Sequence, residues 1–416
     1  MTNTGKILIL KLYDKLLSML IRDNQILSIQ AQKKDSYAVG NIYVGKIQNI
    51  SANIGAAFVD LGGGYLTFLP MTEAKDTFVT NRRPDGTLKI GDEVLVQIVK
   101  EPMKTKLAGV TARISLSGTY VVAGMPRYAC TQVTTSSVDM IDETTTATSL
   151  IQVSSKLSKK QQMKFRSMEA LQKIAETCPL IIRTNAGDLE EIDQLLAEAE
   201  KLSDTLCHIA EIADKRTCYS CLYQGKPDYV NFVQNTYHAE YDEVVTDLPE
   251  VYEVLQKEMS NVLSGNDKAL RLYEDARFPL YKLYSVETRV KELLDKKVWL
   301  KSGGYLVIEP TEALISIDVN TGKCEKGKNK EETSFQINME AAEMIALQLR
   351  ARNLSGMILV DFINLKKKEH ESRLMEYMKS LLRQDSVTAS VVDMTGLGLM
   401  ELTRKKVSPS FAEQMK

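Results

Sequence analysis

Two aspartates stand at the ends of two apolar segments in the C-terminal half of the chain. Asp318 closes the run LISID, and Asp361 closes the run MILVD. An acidic side chain at the end of an apolar segment costs free energy unless water, a partner or a metal ion solvates it. Asn320 follows Asp318 by two positions, so both side chains would point to one face of a strand. Two carboxylates and an amide oxygen form a hard donor set that suits Mg²⁺. The alternative is that the acids only cap strands or helices.

The residues around these aspartates predict a strand–helix–strand unit. The segments 305–309 and 313–319 are short and β-branched, and a Pro-Thr turn separates them. Apolar residues recur at helical spacing from about 332 to 353, and the apolar run 357–362 is typical of a buried strand. In such a βαβ unit the carboxyl ends of the parallel strands meet where ligands collect, so the two aspartates could lie side by side.

A long stretch in several parts resembles the ribonuclease E/G family of endoribonucleases. The resemblance is carried by DVNTGK, EETSFQINMEAAEMIALQLRARNLSGMILVDFI and TGLGLMELTRKKVSPS. It implies a DNase-I-like α/β catalytic subdomain over residues 283–416. It also implies that Asp318 and Asp361 bind one catalytic Mg²⁺ ion and that Asn320 supports Asp318. The expected reaction is hydrolysis of single-stranded, A/U-rich RNA to 5′-phosphate and 3′-hydroxyl ends, in rRNA maturation or mRNA decay.

The bulk composition is typical of a globular protein with several domains. The 416 residues are 44% hydrophobic and 26% charged, and the formal net charge is −1. Any RNA binding must therefore come from local basic patches. The sequence has no apolar run of about 18 residues, which predicts no membrane span. The first residues do not read as a signal peptide, and the 6 scattered cysteines fit free thiols, so a cytoplasmic location is expected.

The N-terminal part consists of short β-rich segments. Residues 1–36 predict a small sheet with a hairpin turn at RDNQ, and the resemblance implies that they join residues 215–282 in a split RNase-H-like subdomain. Between residues 37 and 120, short strands separated by Gly, Asp and Pro predict a small barrel. GKI, AAFVDLG and FLP in this part resemble the OB-fold RNA-binding domain of the same family. The whole chain is thus expected to be an α+β multidomain protein.

Three residues of the predicted barrel match RNA-binding positions of that family. Phe58 and Phe68 match aromatics that stack on bases, and Lys106 matches a basic residue along the RNA path. Aromatic faces beside a lysine suit single-stranded nucleic acid, because stacking contributes about 1–3 kcal/mol per base and the charge follows the backbone. The residues alone favour the alternative that both phenylalanines belong to the barrel core.

The resemblance places a sensor of the RNA 5′-monophosphate in residues 121–214. The apolar run PLII leads into Arg183 and Thr184, just before a helical pattern. A guanidinium beside a hydroxyl at a helix N-terminus suits a terminal phosphate, and the pair matches the RT pair of the family's sensor. The alternative is a surface arginine paired with an acid. In the same region, residues 163–178 predict an amphipathic helix, and the Thr- and Ser-rich residues 126–150 predict an insertion or long surface loop.

Zinc is not expected in this chain. Cys218 and Cys221 form a lone C-x-x-C without a second cysteine pair or a histidine pair, so the spacing is interpreted as incidental. Many relatives carry a cysteine pair after SPS that links two protomers through zinc, whereas FAEQMK follows SPS in this sequence. A zinc-linked assembly is therefore not supported, and a homodimer without that link stays open.

Two other classes of function remain open from the sequence. A non-catalytic RNA-binding protein on the same scaffold would be favoured by the loss of either aspartate, but both Asp318 and Asp361 are intact. A DNA nuclease is the third interpretation.

Overall fold

The structure is a computed structural model, and it describes residues 5–32, 37–83, 85–102, 106–126, 150–189, 192–259, 269–275, 277–322 and 330–416. The chain forms two compact units: one comprises Met1–Lys33 and Ala239–Lys416, and the other comprises Lys34–His238. The predicted insertion at residues 126–150 lies almost entirely outside the described residues, and the finer division into five domains stays a prediction. Among the described helices, none combines the length and the apolarity that a membrane crossing needs.

The first unit begins with three antiparallel strands. These are β1 (Gly5–Leu12), β2 (Lys15–Arg22) and β3 (Gln25–Gln32). Asp23 and Asn24 connect β2 to β3 with φ values of 47° and 64°. Two positive φ values in a two-residue loop are what a tight hairpin requires, and Asp and Asn tolerate them. The predicted hairpin turn is therefore confirmed.

The second unit starts with a closed β-barrel. Its elements are β4 (Ile42–Ser51), β5 (Ala56–Asp60), β6 (Leu66–Pro70), a 3-10 helix (Met71–Asp76), β7 (Glu93–Lys100) and β8 (Ala108–Thr111). The strand order is β4-β5-β6-β8-β7, and β7 pairs back onto β4 to close the barrel. Alternate side chains such as Ile47, Val59, Leu69 and Val94 fill the interior, with at most 1% exposure. The predicted small barrel is confirmed.

The rest of the second unit surrounds a four-stranded sheet of order β11-β12-β10-β9. Its elements are β9 (Ser115–Ser117), β10 (Val121–Gly124), β11 (Ile151–Val153), α1 (Lys159–Arg166), α2 (Glu169–Thr177), β12 (Leu180–Ile182), a 3-10 helix (Thr184–Asp188) and α3 (Asp193–Ala213). β13 (Cys221–Tyr223) then pairs with β4 of the barrel, α4 (Asp228–Asn235) follows, and the 3-10 turn His238–Glu240 begins at the last residue of the unit. The single helix predicted at 163–178 is wrong, because two helices occupy this range. α1 ends at Arg166, and the C-cap residue Ser167 donates from its Oγ to the Lys164 carbonyl at 3.1 Å. A hydroxyl that bonds the backbone in this way competes with helix continuation.

After the second unit the chain returns to the first sheet. The elements are β14 (Tyr241–Thr246), α5 (Pro249–Glu258), β15 (Ala269–Leu272), α6 (Leu280–Leu283) and α7 (Val286–Leu294). β14 pairs in parallel with β1, and β15 with β14, which gives the order β15-β14-β1-β2-β3. Leu8, Leu10 and Val245 of this sheet share a core with Val286 and Val290 of α7. The RNase-H-like assignment of this sheet stays a prediction.

The last part of the first unit is a six-stranded mixed sheet of order β16-β17-β18-β19-β21-β20. Its elements are β16 (Lys297–Trp299), β17 (Tyr305–Pro310), β18 (Ile315–Asn320), α8 (Lys330–Ala351), β19 (Gly356–Asp361), α9 (Lys368–Leu382), β20 (Ala389–Met394), β21 (Leu399–Arg404) and α10 (Phe411–Met415). β18 and β19 are parallel and joined through α8, which confirms the predicted βαβ unit. α8 and α9 pack on one face of the sheet through Ala341, Ile345 and Met378.

Candidate active site and RNA-binding residues

Asp318 and Asp361 lie next to each other on adjacent parallel strands. They are direct partners in the register of β18 and β19, so their side chains leave the same face of the sheet. The flanking residues Ile317, Val319 and Val360 are at most 6% exposed and point to the helix-covered face, whereas both aspartates are exposed. Water therefore removes the burial cost of the two acids, and the sheet brings together the carboxylates that the sequence predicted to be adjacent.

Asn320 orients one of these carboxylates. Its Nδ2 donates a hydrogen bond to Asp318 Oδ2 at 2.7 Å, as expected for two residues on the same face of one strand. Two carboxylates in register, with an amide group beside them, fit a hard divalent cation such as Mg²⁺. In the described part of the chain, no three His, Cys, Asp or Glu side chains group together as alternative metal ligands.

A buried side chain of α8 fixes the backbone directly after Asp361. Asn338 is 0% exposed, its Nδ2 donates to the Ile363 carbonyl at 2.7 Å, and its Oδ1 accepts from the Ile363 N–H at 3.0 Å. This double contact holds the segment that leaves β19. The sequence analysis missed Asn338, although an asparagine within the apolar stripe of a predicted helix is a signal that could have found it.

Glu331, at the start of α8, binds the backbone of the same segment a few residues after Ile363. Its carboxylate accepts the N–H groups of Lys366 and Lys367 at 3.0 and 3.2 Å, and His370 Nδ1 lies 3.1 Å from it. The hydrogen bond from the Lys366 N–H, followed by those from Lys367 and His370, lowers the pKa of Glu331. The loop between β19 and α9 is therefore fixed at two points by α8.

Phe58 and Phe68 form a cross-strand pair on the outer surface of the barrel. They are direct partners in the register of β5 and β6. Their neighbours Ala57, Val59 and Leu69 are 0% exposed, whereas both phenylalanines are half-buried and point outward. The alternative that the two rings belong to the barrel core is therefore wrong.

Two lysines accompany this aromatic pair. Lys106 is exposed just before β8. Gly109 of β8 is the register partner of Phe68 on one side and of Lys100 on the other. The register thus places Lys100, Gly109, Phe68 and Phe58 side by side across the barrel. We call these four residues the aromatic–cation row. The sequence analysis missed Lys100, because only the strand register places it in this row.

Arg183 and Thr184 lie directly after β12. The Arg183 guanidinium donates to the Gly118 carbonyl and, at 2.7 Å, to Asn235 Oδ1, while Thr184 Oγ1 lies 2.9 Å from Ser154 Oγ. Burial lowers the pKa of Arg183. Both acceptors are neutral, and among the described residues the guanidinium forms no ion pair with an acid, so the alternative of a surface ion pair is wrong.

The helix expected directly after this pair is shorter than the sequence suggested. A five-residue 3-10 helix, Thr184–Asp188, follows Arg183, and the long helix α3 begins only at Asp193. A 3-10 turn aligns few peptide dipoles, so it attracts an anion less than an α-helix does. Any grip on a terminal phosphate must therefore come mainly from the two side chains.

The C-x-x-C segment shows hydrogen-bonded thiols. Cys218 Sγ donates to the Val44 carbonyl at 4.0 Å, and Cys221 Sγ donates to the Tyr223 carbonyl at 3.3 Å. Burial raises the pKa of Cys218, which disfavours the thiolate that binds metals. Zinc binding by this segment stays unexpected.

The barrel carries an aromatic–cation row and the mixed sheet carries paired carboxylates, which are features that suit a nucleic-acid-binding protein with a candidate phosphodiester-cleaving site. The model of the family described as "Ribonuclease E/G family" matches residues 143–407, and the model described as "S1 RNA binding domain" matches residues 36–112. The chain belongs to the ribonuclease E/G family. The resemblance inferred from the sequence is thus confirmed.

Several similar proteins are named ribonuclease G or ribonuclease E. Ribonuclease G of Escherichia coli (strain K12) is 32% identical over 387 residues, which cover 89% of this chain and 73% of the relative. Ribonuclease E of the same strain is 31% identical over 387 residues, with 90% and 34% covered. A putative ribonuclease E of Buchnera aphidicola subsp. Baizongia pistaciae is 30% identical over 400 residues, with 94% and 92% covered. These relatives support an endoribonuclease role, and the S1 match supports RNA binding.

Proposed function

We propose that this chain is a Mg²⁺-dependent endoribonuclease that hydrolyses single-stranded, A/U-rich RNA to 5′-phosphate and 3′-hydroxyl ends. Its proposed place is rRNA maturation or mRNA decay in the cytoplasm. The observation that carries the proposal is the in-register pair of Asp318 and Asp361, with Asn320 bonded to the first.

In this proposal Asp318 and Asp361 would hold the metal ion. Bound Mg²⁺ would withdraw negative charge from the scissile phosphate and ease deprotonation of the attacking water. Asn320 keeps the Asp318 carboxylate in one orientation. Asn338 holds Ile363 and thereby limits movement at the end of β19. Because both acids lie on strands of a packed sheet, their spacing is set before the substrate binds.

The outer face of the barrel would hold the RNA strand. Phe58 and Phe68 offer ring faces to successive bases, and Lys100 and Lys106 offer charge to the phosphates. Since every base has a π-face, such a surface accepts many sequences. Because the formal net charge is only −1, attraction of RNA would come from local positive charge such as that of these lysines.

Removal of divalent metal tests the proposed reaction. A labelled, A/U-rich, single-stranded RNA is expected to be cleaved with Mg²⁺ and to stay intact with EDTA. The downstream fragment should carry a 5′-phosphate, detected by its direct ligation to an acceptor. Cleavage that persists in EDTA would contradict the metal site. Binding without cleavage would favour the RNA-binding scaffold, and equal cleavage of the matching DNA would favour a DNA nuclease.

Arg183→Ala tests the proposed 5′-monophosphate sensor. The expected result is that the preference for 5′-phosphate over 5′-hydroxyl RNA falls to about 1. A hydrogen bond to a charged group contributes about 1.5–3 kcal/mol, so the expected loss of preference is roughly 10- to 150-fold. The measurement is the ratio of kcat/KM for two RNAs that differ only at the 5′ end.

Two matched variants control this experiment. Arg216→Ala removes an exposed arginine of the same unit and should leave the ratio unchanged. Arg183→Lys keeps the charge but loses the planar fork of donors, and it should restore only part of the preference. An unchanged ratio in folded Arg183→Ala protein would reject the sensor assignment.

A further inference from the structure

An exposed aromatic pair lies at the edge of the sheet that carries the two aspartates. Trp299, the one tryptophan of the chain, is 62% exposed at the end of the edge strand β16. Its ring centroid lies 5.3 Å from that of Tyr305 on β17, at an interplanar angle of 60°. Lys297 Nζ lies 4.1 Å from the first centroid and 3.8 Å from the second. A cation is thus held between two aromatic rings on a solvent-exposed surface.

Strand register connects this pair to the candidate active site. Trp299 is the partner of Tyr305, and Tyr305 is the partner of Asn320. The neighbouring row of partners, on the same face, is Lys297, Val307, Asp318 and Asp361. Adjacent strands lie about 4.8 Å apart and two residues along a strand span about 6.6 Å, so the backbones of Tyr305 and Trp299 lie roughly 8 and 12 Å from that of Asp318. A nucleotide next to the cleaved bond would come within their reach.

Packing in the core does not explain the tryptophan. Val298 and Leu300 pack against the core, while Trp299 between them points away from it. Charged side chains on an edge strand prevent unwanted strand pairing, and Lys297 fits that purpose. A largely exposed indole has the opposite effect, because it adds apolar surface to an edge. The pair is therefore better explained by a ligand that stacks.

We propose that Trp299 and Tyr305 form a stacking platform for a base of single-stranded RNA beside the cleavage site, and that Lys297 contacts the adjoining phosphate. This inference rests on the proposed endoribonuclease function and adds a second RNA-contacting surface, on the catalytic sheet itself. Aromatic faces combined with a cation suit single-stranded nucleic acid. The exposed Lys301 on the same edge adds positive charge, which favours a polyanion over an apolar protein face.

Tryptophan fluorescence tests the stacking directly, because the chain has 1 tryptophan. Asp318→Asn protein is expected to bind a short A/U-rich RNA without cutting it, and the base is expected to quench the emission of Trp299. In a set of RNAs with one abasic nucleotide at successive positions, one position should abolish the quenching while binding, measured by anisotropy, is retained. Unchanged emission at saturating RNA would overturn the platform.

Kinetics provide the second test. Trp299→Ala is expected to lower kcat/KM about 5- to 150-fold, the range that corresponds to the stacking of one base, and Trp299→Phe should keep most of the activity. The abasic RNA identified by fluorescence should be cleaved equally by wild type and Trp299→Ala. Met357→Ala is the matched control, since Met357 is 57% exposed on the same sheet face at the far end of β19.

The outcomes separate this inference from the proposed function. Wild-type protein that does not cleave RNA would contradict the nuclease itself. Wild-type cleavage together with unchanged kcat/KM in Trp299→Ala would contradict only the platform. If Trp299→Ala lowers the molar mass in light scattering and leaves kcat/KM unchanged, the two rings form a protein interface and the platform is overturned.

Discussion

Asp318→Asn is expected to lower the rate of RNA cleavage by about 10³-fold while RNA affinity stays close to wild type. The amide keeps the size of the side chain but loses the negative charge that attracts Mg²⁺. Charge stabilisation by a metal ion contributes several kcal/mol to the transition state, and about 4 kcal/mol corresponds to this factor. Single-turnover cleavage and fluorescence anisotropy on the same preparation measure the two quantities.

The loss should be specific to the carboxylate pair. Asp361→Asn should behave in the same way, because Asp361 is the register partner of Asp318. Glu312→Gln removes an exposed carboxylate at the other end of the β17–β18 hairpin and should cleave like wild type. Because both aspartates are exposed, the melting temperatures of the Asp318→Asn and Asp361→Asn proteins should stay near that of wild type. Wild-type turnover in either aspartate variant would exclude the carboxylate site.

Arg404→Leu is expected to destabilise the protein by roughly 3–5 kcal/mol, because it leaves a buried carboxylate without its cation. The side chains of Arg404 and Asp385 are 3% and 5% exposed, and Arg404 Nε lies 2.8 Å from Asp385 Oδ2. Arg404 also donates to Asn353 Oδ1 at 2.9 Å and to the Leu354 carbonyl at 3.1 Å. These bonds fix the link between α8 and β19. Urea unfolding followed by circular dichroism measures the loss.

A second variant identifies the cause of that loss. Arg404→Leu with Asp385→Leu removes the buried carboxylate together with its cation, so the double variant should be more stable than the single one. Lys291→Ala removes an exposed ion pair with Glu287, whose side chain is 45% exposed, and should change stability by less than about 1 kcal/mol. Equal losses in the single and double variants would mean that the buried pair is not the source of the effect.

The sequence predicts the elements around the site better than it predicts their mutual placement. The alternation of Ile315, Ile317 and Val319 with polar residues, and the helical spacing of Ile337, Ala341 and Ile345, are local patterns. The register of β18 against β19 is not local, because it depends on how α8 packs over both strands. A shift by one residue would have put one aspartate on the helix-covered face.

The residues that sequence reasoning missed are those that depend on such register or on buried contacts. Lys100 belongs to the aromatic–cation row only because Gly109 pairs with both Lys100 and Phe68. Trp299 and Tyr305 come together only because β16 pairs with β17. At Arg183 the local pattern predicted a helix N-terminus and the structure has a 3-10 turn, since the apolar stripe of α3 did not reveal where the helix begins.

The parallel pairing of β1 with β14 sets an order of events during synthesis on the ribosome. Gly5 pairs with Tyr241, and Lys34–His238, which lies between them, forms a compact unit of its own. At about 5–20 residues per second, roughly 10–50 s separate the emergence of the two strands. During that time β1 has an unpaired edge that can associate with other chains. The barrel unit can fold first, and the unit with the candidate active site is expected to finish folding last.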